Sequence, residues 1–141
     1  MLEKKIKYTD YLGNEREETW WFHISDAKLT EWELSKTGGL TKMIERISET
    51  QDVPKLIELY KTLILKSVGK LDGDGRRFRQ TEDVIQEFTE TEAYSELYME
   101  LATVEGAGAA FVNGLVSDKL RKRMAEEGTP MVNPKHPALK Y

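Results

Sequence analysis

The apolar pattern of this chain changes period near residue 25, from two residues to about 3.6, and that switch dictates a β unit followed by helices. Ile6 and Tyr8 alternate with Lys5 and Lys7, as in a half-buried strand. After the turn signal Leu12-Gly13-Asn14-Glu15, Thr19, Trp21 and His23 fall on one side of an extended chain. Trp20, Phe22 and Ile24 fall on the other. The pattern predicts an antiparallel hairpin over residues 4–24, with its register open. An isolated hairpin is marginal in water, so one face must cover helices of this chain or a neighbouring subunit.

Helical spacing begins at Ser25-Asp26, either of which can cap orphan amides. Leu29, Trp32 and Leu34 supply the apolar positions before Gly38-Gly39 stops the first helix. Leu40, Met43, Ile44 and Ile47 then form a single stripe. Asp52 is placed to cap a third helix, with Pro54 tolerated in its first turn. That helix carries apolar residues on more than one side from Leu56 to Val68, so it is expected at the centre, with Gly69 as its stop. Asp72-Gly73-Asp74-Gly75 reads as a turn and Arg76 to Arg79 as a short extended piece. Helix resumes after Thr81 through Phe88, then continues or restarts after Thr91 with Tyr94, Leu97, Tyr98 and Leu101 on one side. A last helix, near Gly108 to Val116, sets Ala107, Ala110, Phe111, Gly114 and Leu115 on one face.

The expected fold is therefore α+β and mainly helical: an N-terminal β-hairpin followed by about five or six short-to-medium amphipathic helices. Residues 1–117 are expected to form a single domain, with the helical part over 26–117. Residues 118–141, charged and containing Pro130, Pro134 and Pro137, are expected to be a flexible tail. With 39% hydrophobic and 33% charged residues, a chain of 141 residues can bury a core without disulfides, and it has no cysteine. Thiol chemistry and cysteine metal sites are thereby removed. The opening MLEKKIKYTDY has no apolar run of the signal-peptide kind, and no segment is long and apolar enough to span a bilayer. Net charge is −4, with +3 on residues 117–141 (six basic, three acidic) and −7 on the rest (15 basic, 22 acidic). An acidic body disfavours nucleic acid as a partner, although Lys119, Arg121, Lys122 and Arg123 form a short basic run.

No set of residues assembles a site for covalent chemistry. The Asp72-Gly-Asp-Gly turn fails as a calcium loop, because Arg76, Arg77 and Arg79 stand where carboxylates are needed. Glu90, Glu92, Glu96 and Glu100 are read as sharing a helical face but lack the histidine of a di-metal helix site, so a solvated or partner-facing acidic stripe is expected. His23 has no evident nucleophile or orienting carboxylate, and His136 sits between prolines. Gly106-Ala107-Gly108 lacks both the glycine spacing and the preceding strand of a dinucleotide fingerprint. An enzyme is not expected, nor any cofactor or metal. Trp20, Trp21 and Trp32 carry more weight, as core anchors or as interface hot spots. Trp20 and Trp21 point to opposite hairpin faces, so one of them is the leading interface candidate.

Three segments carry a family resemblance: KKIKYTDYLGNEREETWWFHISDAKLTEWELSKTGGL, ILKSVGKLDGDGRRF and FTETEAYSELYMELATVEGAGAAFVNGL. Together they resemble the tail assembly chaperones of long-tailed phages and prophages of Gram-positive bacteria, with Tyr94 to Leu101 the most recognisable block. The resemblance implies a non-enzymatic protein of the host bacterial cytoplasm that is absent from the mature virion. It implies binding to the tape-measure protein, recruitment of tail tube subunits and self-association; the charge and hydropathy readings add that no nucleic-acid or membrane partner is expected. Helix-in-groove docking is the physical mode that suits such a client. Trp20, Phe22, Trp32, Tyr60, Tyr94, Tyr98 and Phe111 are the candidate protein-binding residues, and each is equally suited to an ordinary core. A structural tail completion or connector protein retained in the virion is the alternative; it would copurify with mature particles.

Overall fold

A computed structural model describes residues 1–35, 39–115 and Lys122, apart from the side chains of Thr41, Ile44, Ser48 and Val53. The expected tail over 118–141 lies outside the described residues, Lys122 apart. The first two strands, β1 (Leu2–Thr9) and β2 (Glu15–Phe22), pair antiparallel from Leu2↔Phe22 to Thr9↔Glu15. The register is set at the turn. The Asp10 carboxylate accepts the amide hydrogens of Leu12 and Asn14, both at 2.9 Å, and binds Arg16 Nε at 2.6 Å. In this register Ile6, Tyr8, Trp20 and Phe22 fall on one face, and all four are buried.

Six helices follow among the described residues: α1 (Asp26–Glu33), α2 (Gly39–Glu49), α3 (Val53–Ser67), α4 (Glu82–Thr89), α5 (Glu92–Thr103) and α6 (Ala107–Gly114). The mixed, mainly helical α+β architecture is the one expected. Caps agree in part with the sequence reading. Ser25 Oγ accepts from the Lys28 amide and Thr81 Oγ1 from the Val84 amide, each supplying an orphan helix donor. Asp52 occupies the cap position of α3 without a side-chain bond. Thr91 is the cap position of α5, so the helix after Thr81 restarts there and does not run on.

The hairpin does not stand alone. Two further strands, β3 (Val68–Leu71) and β4 (Phe78–Arg79), complete a four-stranded sheet in the order β1-β2-β3-β4. The 72–75 turn joins β3 to β4, and β3 pairs antiparallel with β2 through Trp21↔Gly69 and Phe22↔Val68. Gly69 follows from close packing: a Cβ there would lie 2.6 Å from Phe78 Cζ and 2.7 Å from the Arg79 carbonyl oxygen. Any larger residue would push β4 away.

Helices α4 and α5 cover the inner face of the sheet, and α3 packs behind β2 and α5. Phe22, Leu40, Ile47, Leu63, Ile64, Val68, Phe88, Val112 and Leu115 are fully enclosed, each burial contributing about 1.5–3 kcal/mol before entropy is charged. Two local readings differ from expectation. Leu34 is 83% exposed because α1 ends at Glu33 and turns it outward. Ala110 is exposed, while Gly108, Ala109 and Val112 face inward with Phe111 and Leu115. Helix α6 thus buries a wider arc than the five residues expected. Among the described residues, no helix is long and apolar enough to cross a membrane.

Candidate protein-binding surface

The expected contact residues separate into three environments. Trp20, Phe22 and Phe111 lie in the core and share it with Phe88 of α4. Their rings meet edge to face: Trp20–Phe88 at 4.8 Å, Phe22–Phe88 at 5.8 Å and Phe22–Phe111 at 5.3 Å. The series continues outward through Phe88–Tyr94 at 5.8 Å and Tyr94–Tyr98 at 5.9 Å. Such pairs contribute about 0.5–1.5 kcal/mol each beyond burial. Tyr94 and Tyr98 are half-buried, so this aromatic series reaches the surface on α5. Burial raises the Tyr94 phenol, with Tyr98 adding to the shift.

Trp20 and Trp21 do face opposite ways, and Trp20 is the inward one. Its indole Nε1 donates to Glu18 Oε1 at 3.3 Å and Lys70 Nζ lies 5.3 Å from the ring centroid. Trp21 stays half-buried on the outer face, beside Gly69. Tyr60 is buried under α6, where its ring occupies the space that a side chain at Gly108 would fill. Trp32 is different again: 8% exposed, it lies under Lys66, whose Nζ is 4.8 Å from the ring centroid.

Two kinds of surface remain. One is scattered: Tyr11, Leu12, Leu34, Met99 and Val104 are exposed apolar side chains on different elements. Tyr11 is tied down, its hydroxyl donating to the Glu90 carbonyl at 3.1 Å and staking the hairpin tip to the α4–α5 junction. The other kind is concave. A hollow of about 450 Å³ beside the β1–β2 turn is lined largely by charge, with Lys7, Arg16, Glu17 and Glu96 on its wall. A second, of about 550 Å³, lies where α2 and α3 diverge and has an apolar floor of Trp32, Met43, Leu59 and Leu65.

The acidic face of α5 is turned towards the hairpin. Glu100 pairs with Lys4 at 2.9 Å, Glu96 shares the polar hollow with Arg16, and Glu92 acts on the Tyr11 phenol. Tyr8 is buried there, and desolvation together with its hydrogen bond to Glu18 pushes its phenol up to about 12. Arg16 and the Asn14 amide hold the Asp10 carboxyl down at about 2. His23 is half-buried, its Nδ1 lacks a hydrogen-bond partner, and desolvation lowers its pKa. Among the described residues, no group of three or more histidine, aspartate or glutamate side chains is arranged to hold a metal ion.

One organising residue escaped the sequence reading. Gln80 Nε2 donates to the carbonyls of His23 at 3.1 Å and Ser67 at 3.0 Å, while its Oε1 accepts from Lys28 Nζ at 2.6 Å. One amide thereby joins α1, the end of β2 and the α3–β3 corner. A glutamine in a loop carries no periodic signal, so only the folded chain reveals it.

The fold and its surface define a small, mainly helical α+β domain with a four-stranded sheet and an apolar hollow between helices. The chain belongs to the phage tail assembly chaperone family, whose model matches residues 1–140. Comparison with curated proteins and with solved structures gave no match.

Proposed function

We propose that this chain is a non-enzymatic assembly chaperone that binds the tape-measure protein and keeps its long helices soluble until the tail tube forms around them. It acts in the host bacterial cytoplasm, associates with further copies of itself along the client, helps recruit tube subunits and leaves before the virion is complete. Membership of the phage tail assembly chaperone family over residues 1–140 is the observation that carries this reading. The surface supports it physically: an apolar hollow beside α3 and half-buried Tyr94 and Tyr98 are the kind of contacts that receive an amphipathic helix. Several copies along one extended client would gain avidity without any single tight contact.

Coexpression with the tape-measure protein tests the proposal, with the soluble fraction of client measured with and without this chain. Client that is soluble only in its presence, in a complex sized by light scattering and missing from purified particles, is the expected result. Unchanged client solubility, with the chain retained in virions, would overturn it in favour of a structural tail protein.

A further inference from the structure

The groove beside α3 has a charge pattern opposite to that of the body around it. Leu59, Thr62 and Leu65 run along one side of α3, and Met43 of α2 and Trp32 of α1 complete the wall. From Glu58 to Lys66 this track covers about 12 Å at about 1.5 Å per residue, which is two helical turns. A row with three- and four-residue spacing is the shape into which the ridge of another helix fits. Past Trp32 and Lys66 a further hollow of about 450 Å³ continues the trough, reaching Ile24, Lys28 and Glu31.

The rim is basic. Arg46, Lys61 and Lys66 border the first hollow against a single carboxylate, Glu58. All three cations are exposed, and none makes an ion pair among the described residues. This lies on a body in which acidic residues outnumber basic ones by 22 to 15 before residue 117. The segment 117–141, at +3, would bring like charge to the rim and is a poor occupant.

We propose that the trough formed by Trp32, Met43, Leu59 and Leu65 binds an amphipathic helix whose apolar ridge is flanked by Asp and Glu, the carboxylates meeting Arg46, Lys61 and Lys66. The apolar ridge enters the hollow and the basic rim selects the flanks, fixing which face of the partner helix docks. This deepens the client reading, on which it rests for the partner's identity as a tape-measure helix.

The test uses the full chain and two labelled helical peptides of about 18 residues, or five turns, with the same leucine ridge. One has glutamates flanking the ridge and the other lysines. Anisotropy titration is expected to show the glutamate peptide binding on the order of tenfold more tightly. The double variant Lys61→Glu, Lys66→Glu should reverse that preference, while Leu65→Ser should weaken both peptides; circular dichroism melts verify that each variant is folded. Equal binding of the two peptides, or an unchanged preference in the double variant, overturns the groove assignment. So does a double variant that only alters self-association, because the trough is then an interface between copies. The client arm separates this proposal from the previous one. If wild type and the double variant keep the tape-measure protein equally soluble, the chaperone reading stands and the groove falls. If peptides bind with the expected charge preference but client solubility never changes, the groove stands and that client is wrong.

Discussion

Replacing Gly108 by alanine should destabilise this protein, although the same change usually stabilises a helix. Gly108 is the second residue of α6, and in an open helix alanine gains up to about 1 kcal/mol over glycine. Here the new Cβ would lie 2.3 Å from Tyr60 Oη, 2.6 Å from Cζ and 2.9 Å from Cε1. Tyr60 is buried, and a phenol ring cannot bend aside as a lysine end can, so α6 must lift or the ring must leave its rotamer. Overpacking of this kind costs about 1–3 kcal/mol, which leaves a net loss on the order of 1 kcal/mol. Urea unfolding should show a lower midpoint at unchanged slope, and thermal unfolding a midpoint lower by about 4 °C. In a Tyr60→Leu background the clash is gone, and Gly108→Ala should become neutral or stabilising, giving a coupling of about 1–2 kcal/mol. A higher midpoint for Gly108→Ala in the wild-type background, or an equal loss in both backgrounds, would refute the packing argument.

Gln80→Ala should cost about 1–3 kcal/mol by urea unfolding, since the His23 carbonyl at the end of β2 loses this donor and the Ser67 carbonyl at the α3–β3 corner is left with the His23 amide alone. Gln80→Glu should be no better, because a carboxylate cannot donate to them; a wild-type midpoint for that variant would contradict the clamp. The Asp10 carboxyl, held at about 2 by Arg16 and the turn amides, lies below its ordinary value of 3.8, so the folded state is the weaker proton acceptor. Its stabilisation is complete above about pH 4 and is lost as pH falls towards 2, a window that Asp10→Asn should flatten and that an NMR titration of the side-chain carbon reads directly. Phe88→Ala removes the ring that joins Trp20, Phe22 and Tyr94 and should cost about 3–5 kcal/mol, with loss of near-ultraviolet circular dichroism.

Placing the groove on α3 gives that helix two duties. Leu59, Leu63 and Ile64 belong to the core, and Leu59 also lines the groove together with half-buried Leu65. The helix was expected at the centre because its apolar set exceeds one stripe, and of that set the groove leaves Leu65 half-buried. Trp32 belongs to both regions: it lies under Lys66 of α3 and lines both hollows.

Local signals settle much of this fold. Alternation at Ile6, Tyr8, Trp20 and Phe22 marked the hairpin and its faces, and Ser25 and Thr81 marked helix starts, because a two-residue or 3.6-residue period needs only near neighbours. The Asp72-Gly-Asp-Gly turn was legible for the same reason, and the short strand at Phe78 was visible as an extended piece. Burial was not legible. Whether Trp20 or Trp21 faces inward depends on which side of the sheet α4 and α5 settle on. The pairing of β3 with β2 joins residues 48 positions apart at Trp21 and Gly69, and no local pattern encodes such a distance. The clamp at Gln80 and the basic-rimmed trough between α2 and α3 arise in the same way, from segments remote in sequence brought side by side. The amino-acid order thus determined the elements and their amphipathic faces, because those depend on backbone geometry over one or two turns. Only the tertiary structure decided which aromatic rings are sealed and which surface stays open, because burial belongs to a residue's neighbours in space.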